Sequence, residues 1–133
     1  MADSCACLQA IVELHDFFAA WYRGDEGADL GVMEAALGDE FRLVTPKATV
    51  VPRGAIIDAT RDQHGAYPSA RIEIRPVRCS QVRGLHLSTY EEWQYDDEER
   101  PARLSTAVLS TTDNGWQWHV VHETWLDQGT SAG

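Results

Sequence analysis

The sequence is short of positive charge. Eleven lysines and arginines face twenty-one aspartates and glutamates, leaving a formal charge of −10 with histidine neutral. A surface of that sign repels phosphate backbones and anionic lipid headgroups, which argues against nucleic acid and membrane as partners. Long apolar runs are also missing. No stretch reaches the roughly 18 consecutive apolar residues of a membrane-spanning helix, and Met1-Ala2-Asp3-Ser4 lacks the basic and apolar regions of a signal peptide. The expected location is therefore cytoplasmic. Cysteine is scarce: Cys5, Cys7 and Cys79 are odd in number. Cys5 and Cys7 lie too close together to staple distant segments, so reduced thiols are expected. With no second cysteine pair to complete a tetrahedral site, no metal is expected, and no cofactor.

What the chain does contain suffices for one core. At 133 residues and 44% hydrophobic content it reads as a single domain, residues 1–133, with a fold core of about 8–127 and a loose tail over 128–133. Leu8, Ile11, Val12, His15, Phe18, Ala19 and Tyr22 follow the spacing of one helical face. Asp3 or Ser4 can cap its start and Gly24 its end. Leu14, Phe17 and Trp21 widen the apolar surface, marking this as the central helix. Asp29 can cap a short second helix carrying Leu30, Met33 and Leu37, with Gly38 stopping it. A strand over Phe41–Thr45 ends at Pro46. Pro52 opens a third helix over Arg53–Arg61, closed by His64-Gly65.

From Ala70 the periodicity becomes alternating, predicting strands over Ala70–Val82, Leu85–Tyr95, Arg103–Thr112 and Trp116–Leu126. Asn114-Gly115 is the strongest hairpin signal, because a type I′ turn needs positive φ at both central residues. The class is α+β: helices packed on one face of a curved antiparallel sheet.

The order of these elements, with Leu37-Gly38-Asp39-Glu40-Phe41 after Leu30, then Leu43-Val44-Thr45-Pro46, and Trp118-His119-Val120-Val121-His122-Glu123 near the end, resembles the nuclear transport factor 2-like (SnoaL-like, cystatin-like fold) superfamily. The last segment is similar to the closing strand of the calcium/calmodulin-dependent kinase association domain. The resemblance implies a cone-shaped half-barrel with a pocket between the concave sheet and the first helix. It also implies a homodimer through the outer sheet face. Because the superfamily spans isomerases, dehydratases, cyclases, adaptors and oligomerisation modules, it implies no single activity.

Taking Asn114-Gly115 as the turn sets Val121 opposite Val108, Glu123 opposite Thr106 and Trp125 opposite Leu104 on one face. His119 falls opposite Ser110 there, and Trp118, Val120 and His122 fall on the other face. Aligning the last strand on the kinase association domain places the pocket at the parity of Val121, Glu123 and Trp125, and gathers Tyr90, Glu92, Gln94 and Thr106 around it. That domain has arginines at the positions of Tyr90, Ser110 and Trp125, so an anion site is not implied here. His15 and Tyr22 can reach the pocket from the first helix, although a satisfied core histidine is the plainer role for His15. His119-x-x-His122-Glu123 is not a metal motif on a strand, where His122 points away from the other two.

Three functions remain open. The first is a pocket for a small, partly apolar molecule in a ligand-binding dimer. The second is an acid/base enzyme, an isomerase or dehydratase, using Glu92 or Glu123 with Tyr90 as a hydrogen-bond donor. The third is an oligomerisation module with an outer interface around Trp118, Val120 and His122. Against the second, Thr45-Pro46-Lys47-Ala48 offers no carboxylate where ketosteroid isomerases place their base, and no His-Asp pair is evident. Glu92 and Glu123 could instead pair structurally with Arg71, Arg75 or Arg103.

Overall fold

In a computed structural model, described over residues 5–98 and 100–126, the chain forms three helices and six strands. In order they are α1 (Leu8–Arg23), α2 (Gly31–Ala36), β1 (Leu37–Val44), β2 (Val50–Pro52), α3 (Arg53–Arg61), β3 (Arg71–Val82), β4 (Leu85–Tyr95), β5 (Arg103–Thr112) and β6 (Gly115–Trp125). One curved, unclosed sheet runs β2-β1-β6-β5-β4-β3. All its pairs are antiparallel except β1 with β6, which brings the first long strand against the last. The α+β expectation holds.

The central helix is built as its pattern predicts. Ile11, Leu14, His15, Phe17 and Ala19 are buried. Ile11, Leu14 and Phe17 share one core with Leu37, Phe41, Tyr90, Ala107, Leu109, Trp118 and Val121 of the sheet and with Met33 and Ile57 of the other two helices. Gly24 ends the helix in the left-handed region at φ 83°, sending backbone N–H bonds to Ala20 and Trp21. A Cβ there would also lie 3.1 Å from the Gly65 Cα, so the cap and the loop after α3 are packed together. The predicted caps Asp3 and Ser4 lie outside the described residues, as does the tail. Asp29, expected to cap α2, lies one residue before the N-cap Leu30, which makes no side-chain cap bond; Asp29 instead accepts a hydrogen bond from the Gly31 N–H at 2.9 Å in the turn that leads into the helix. Gly38, expected to stop that helix, instead sits within β1. A Cβ on Gly38 would meet the Trp118 carbonyl oxygen at 3.2 Å, so glycine lets β1 approach β6 closely. α3 begins one residue after Pro52 and ends at Arg61, before His64-Gly65. Arg53 locks it down, donating to the Leu37 and Glu34 carbonyls at 3.1 and 2.8 Å.

The strand register corrects the sequence expectation. The loop between β5 and β6 is Asp113-Asn114, with Thr112 paired to Gly115. Positive φ is needed only at Gly115, at 118°. The two positive-φ central residues of a type I′ turn are found instead at Arg83 (51°) and Gly84 (84°), joining β3 to β4. The displaced turn moves the pairing of β6 two residues from the expected register and a bulge at His119 returns it by one, so Glu123 faces Ser105 rather than Thr106, and Val121 faces Ala107. The bulge also turns Trp118 inward, where it is 2% exposed, overturning its expected place on the outer face.

The thiol expectation is also corrected. Cys5 and Cys79 form a disulfide with a Cα separation of 5.5 Å, tying the segment before α1 to the inner face of β3. Cys5-x-Cys7 spacing says nothing about Cys79, which the sheet brings to the helix start. Cys7 is free and buried.

Trp118 and Trp125 test this register. Trp118→Ala should cost about 3–5 kcal/mol in urea unfolding, as a buried aromatic does. Trp125→Ala, at a position 45% exposed, should cost within about 1 kcal/mol. Equal losses would contradict the inward turn of Trp118.

Candidate functional site

The inner face of the sheet and the underside of α1 enclose a cavity of about 120 Å³. Its walls are mostly apolar: Leu14 and Phe18 of α1, Met33, Leu37, Phe41, Leu43, Ile56, Ile72, Trp118 and Val121. An engineered apolar cavity of roughly 150 Å³ takes up benzene, so this chamber matches a ring-sized group. One end is polar, formed by His15 and Tyr22 from α1, Tyr90, Glu92 and Gln94 from β4, Arg103 from β5 and Glu123 from β6. Tyr22, Ile72, Gln94 and Arg103 also line an outer recess of about 260 Å³ that continues to Tyr67, Arg71, Tyr95 and Arg100. Inner chamber and outer recess share a wall at that polar end.

His15 and Glu92 are the centre of the polar end. They are 6% and 5% exposed, and His15 Nε2 lies 3.2 Å from Glu92 Oε1. His15 Nδ1 lies 2.8 Å from the Ile11 carbonyl oxygen. A carbonyl can only accept, so Nδ1 carries a proton. The Nε2 contact with the carboxylate then requires a second proton between them. Gln94 Nε2 donates to the other Glu92 oxygen at 2.6 Å. Beside this pair, Arg103 Nη1 donates to Glu123 Oε1 at 3.1 Å. The Tyr90 hydroxyl and Arg103 Nε are buried without a hydrogen-bond partner among the described residues.

Of the residues expected at the pocket, the structure brings His15, Tyr22, Tyr90, Glu92, Gln94 and Glu123 to this one cavity. Thr106 is not among them. The bulge at His119 places it on the other face, where its hydroxyl bonds Thr89 at 2.9 Å. Trp125 is at the exposed end of β6, with the Arg103 guanidinium 5.6 Å from its ring centre. The arginines weighed as carboxylate partners divide. Arg103 holds Glu123, whereas Arg75 holds Glu73 and Arg71 lies over Tyr95. The His-carboxylate pair that the sequence did not reveal joins residues 77 positions apart. The helical stripe containing His15 and the parity of Glu92 each pointed inward, but only the packing of α1 on β4 joins them.

No protein-family model and no curated protein matches the sequence. Solved structures do. A crystal structure of an NTF2-like protein of unknown function from Pseudomonas aeruginosa is 32% identical, covering 92% of this chain and all of that one, with a TM-score of 0.84. The chain belongs to the NTF2-like family. Two more distant structures share its fold. One is from Thiobacillus denitrificans, provisionally assigned as a calcium/calmodulin-dependent protein kinase type II association domain (22% identity, 86% and 92% coverage, TM-score 0.64). The other is from Streptomyces avermitilis, provisionally assigned as a dehydratase of the NTF2-like family (16% identity, 90% and 94% coverage, TM-score 0.69).

Within this NTF2-like cavity the electrostatics separate the two carboxyls. For Glu92, burial favours the neutral form, but the His15 charge, the hydrogen bonds from His15 and Gln94, and Arg103 outweigh it and hold the group down from 4.5 to about 2. For His15, burial favours the neutral ring, but the Glu92 charge and hydrogen bond and the Ile11 carbonyl outweigh it and raise the imidazole above 6.5. Both directions describe an imidazolium-carboxylate pair. Glu123 goes the other way: burial raises it, with the nearby Glu92 charge adding to burial against the pull of Arg103. Burial and the Glu92 charge also push the Tyr22 phenol up to about 12, and Tyr90 is raised for the same reasons. Both phenols therefore stay protonated donors at neutral pH.

These shifts fix a pH dependence. A carboxyl lowered from 4.5 to about 2 on folding contributes stability that is present above pH 4.5 and lost as pH falls towards 2. A raised histidine contributes stability that is full below pH 6.5 and lost as pH rises through its folded pKa. Glu123, also raised, contributes stability lost as pH rises above 4.5. In Glu92→Gln, the urea midpoint should therefore lose less than the native protein between pH 4.5 and 2. Midpoint curves that run parallel over that window would show that Glu92 is not held ionised by its surroundings.

Proposed function

We propose that this NTF2-like chain binds a small, partly apolar molecule in the cavity beneath α1, with a hydroxyl or carbonyl oxygen of that molecule directed at the polar end. The observation that carries the reading is the asymmetry of the cavity. Apolar side chains form most of its wall, and the buried His15–Glu92 and Arg103–Glu123 pairs meet at one end beside the unpartnered Tyr90 hydroxyl. Convergent polar groups in an otherwise apolar pocket orient a ligand rather than merely admit it. The same proposal includes a homodimer through the outer sheet face around Val120 and His122, checked by sedimentation at micromolar concentration.

A specific observation favours a second reading, proton-transfer catalysis of the isomerase or dehydratase type. The surroundings push the two cavity carboxyls in opposite directions, the pattern that divides acid and base roles between like groups. Glu92, ionised within the His15 pair, would stabilise positive charge or accept a proton. Glu123, raised, would donate one to a ligand oxygen, with Tyr90 as a second donor to the developing alkoxide or enolate. The provisional dehydratase assignment of the Streptomyces avermitilis structure is consistent with that chemistry but shares only the fold.

A metabolite screen by native mass spectrometry separates these readings. Binding predicts a retained small molecule of ring size, displaced in Tyr90→Phe or Glu92→Gln. Catalysis further predicts that Glu123→Gln retains binding while turnover falls by about 10²–10⁴-fold. A cavity that retains nothing from any extract, with thermal midpoints unmoved by candidate ligands, would contradict both.

A further inference from the structure

The cysteines, away from the polar end of the cavity, form a cluster that the ligand-binding reading does not use. Cys5 and Cys7 lie just before α1, Cys7 at its N-cap, and Cys79 reaches them from the inner face of β3, so that all three sulfurs lie within 4.8 Å of one another. Cys7 is 1% exposed, and its Sγ is 3.7 Å from Cys5 Sγ. Two thiolates bound to one tetrahedral zinc at about 2.3 Å stand roughly 3.8 Å apart, so this pair already has a chelating separation. Ser88, fully buried, places its hydroxyl oxygen 3.4 Å from Cys79 Sγ and 3.9 Å from Cys5 Sγ. It is placed to donate a hydrogen bond to a sulfur ligand and orient it. A structural disulfide needs two cysteines; the third is brought into contact with the bridge from the helix side.

We propose that, once the Cys5–Cys79 bridge is reduced, the chain binds one thiophilic d¹⁰ cation, copper(I) or zinc(II), through Cys5, Cys7 and Cys79. Three sulfur donors with no carboxylate or imidazole among them suit a soft ion rather than magnesium or calcium. The strongly acidic surface adds a general attraction for cations. The bridge and the metal are then alternatives. A dithiol reductant supplies two electrons and two protons to open the disulfide and becomes a disulfide itself. The ion displaces the thiol protons as it binds. Oxidation of Cys5 and Cys79 back to the bridge, with a disulfide as the electron acceptor, removes two of the three donors and releases the ion. The fourth position is left to solvent or a small exogenous ligand.

The test uses the full chain, reduced and freed of reductant without oxygen, and titrated separately with zinc(II) and copper(I) against chromophoric chelators. The expected result is one equivalent bound per chain, none by the oxidised form. Cys7→Ser should weaken binding by at least the ~10–100-fold that outer-shell changes cost at such sites. Because Cys7→Ser replaces a buried residue, X-ray absorption of the loaded wild-type chain gives a second readout, with three sulfur neighbours expected at about 2.3 Å from zinc. Tighter binding of copper(I) than zinc(II), or the reverse, identifies the ion within the proposed class. Retention of either ion no better than by a chain with all three cysteines replaced would overturn the proposal, as would a shell with fewer than three sulfurs.

Discussion

An imidazole and a carboxylate held together out of water set the geometry of this molecule's interior. His15 stands on α1 and Glu92 on β4, so their contact ties the central helix to the strand next to the β3 edge of the sheet, at the point where the cavity's polar end lies. Removing two charges from water is costly, and their attraction offsets that cost only if the remaining polar atoms are also bonded. The structure meets that condition. The Ile11 carbonyl takes the other imidazole proton and Gln94 takes the other carboxylate oxygen. Deleting one member would leave an uncompensated charge inside the core, so the pair constrains both elements on which it sits.

The neighbouring groups follow from that constraint. Burial raises Glu123, Tyr22 and Tyr90, and the fixed negative charge of Glu92 adds to it, while Arg103 holds Glu123 in place from the adjacent strand. Apolar side chains from both helices and sheet form most of the remaining wall, and the low dielectric they provide strengthens the charge interactions at the polar end. An NTF2-like scaffold thus supplies the concave wall, and the particular side chains of this chain supply the polarity. Structures of the same fold carry assignments as different as a kinase association domain and a dehydratase. Whatever distinguishes this chain must therefore reside in such side chains rather than in the fold.

Much of the architecture was legible in the sequence because it is written in local periodicity. The helical stripe from Leu8 to Tyr22 and the alternation after Ala70 delimit α1 and the four long strands to within a residue or so. β2 escaped notice because it has three residues and pairs only with β1. The faces of β5 were misread because parity counts fail at a bulge. The turn at Asp113-Asn114 and the residue inserted at His119 together exchange Thr106 for Ser105 opposite Glu123, and the insertion turns Trp118 into the core. The inward positions of Tyr90, Glu92 and Glu123 survived because β4 has no such insertion among them and because the last strand's parity was anchored near its end. Long-range partnerships left no local signal. Neither the His15–Glu92 pair nor the Cys5–Cys79 bridge, 77 and 74 residues in span, has any trace in spacing along the chain.

The most direct measurement is the protonation of His15, read from its ring ¹⁵N chemical shifts as pH is varied in the intact protein. Both ring nitrogens are expected to be protonated at neutral pH with a midpoint above 6.5, and the midpoint is expected to fall in Glu92→Gln, where burial is opposed only by the Ile11 hydrogen bond and the Glu123 charge. A neutral His15 ring at pH 7, or a midpoint that the substitution leaves in place, would contradict the ion pair on which the rest is built.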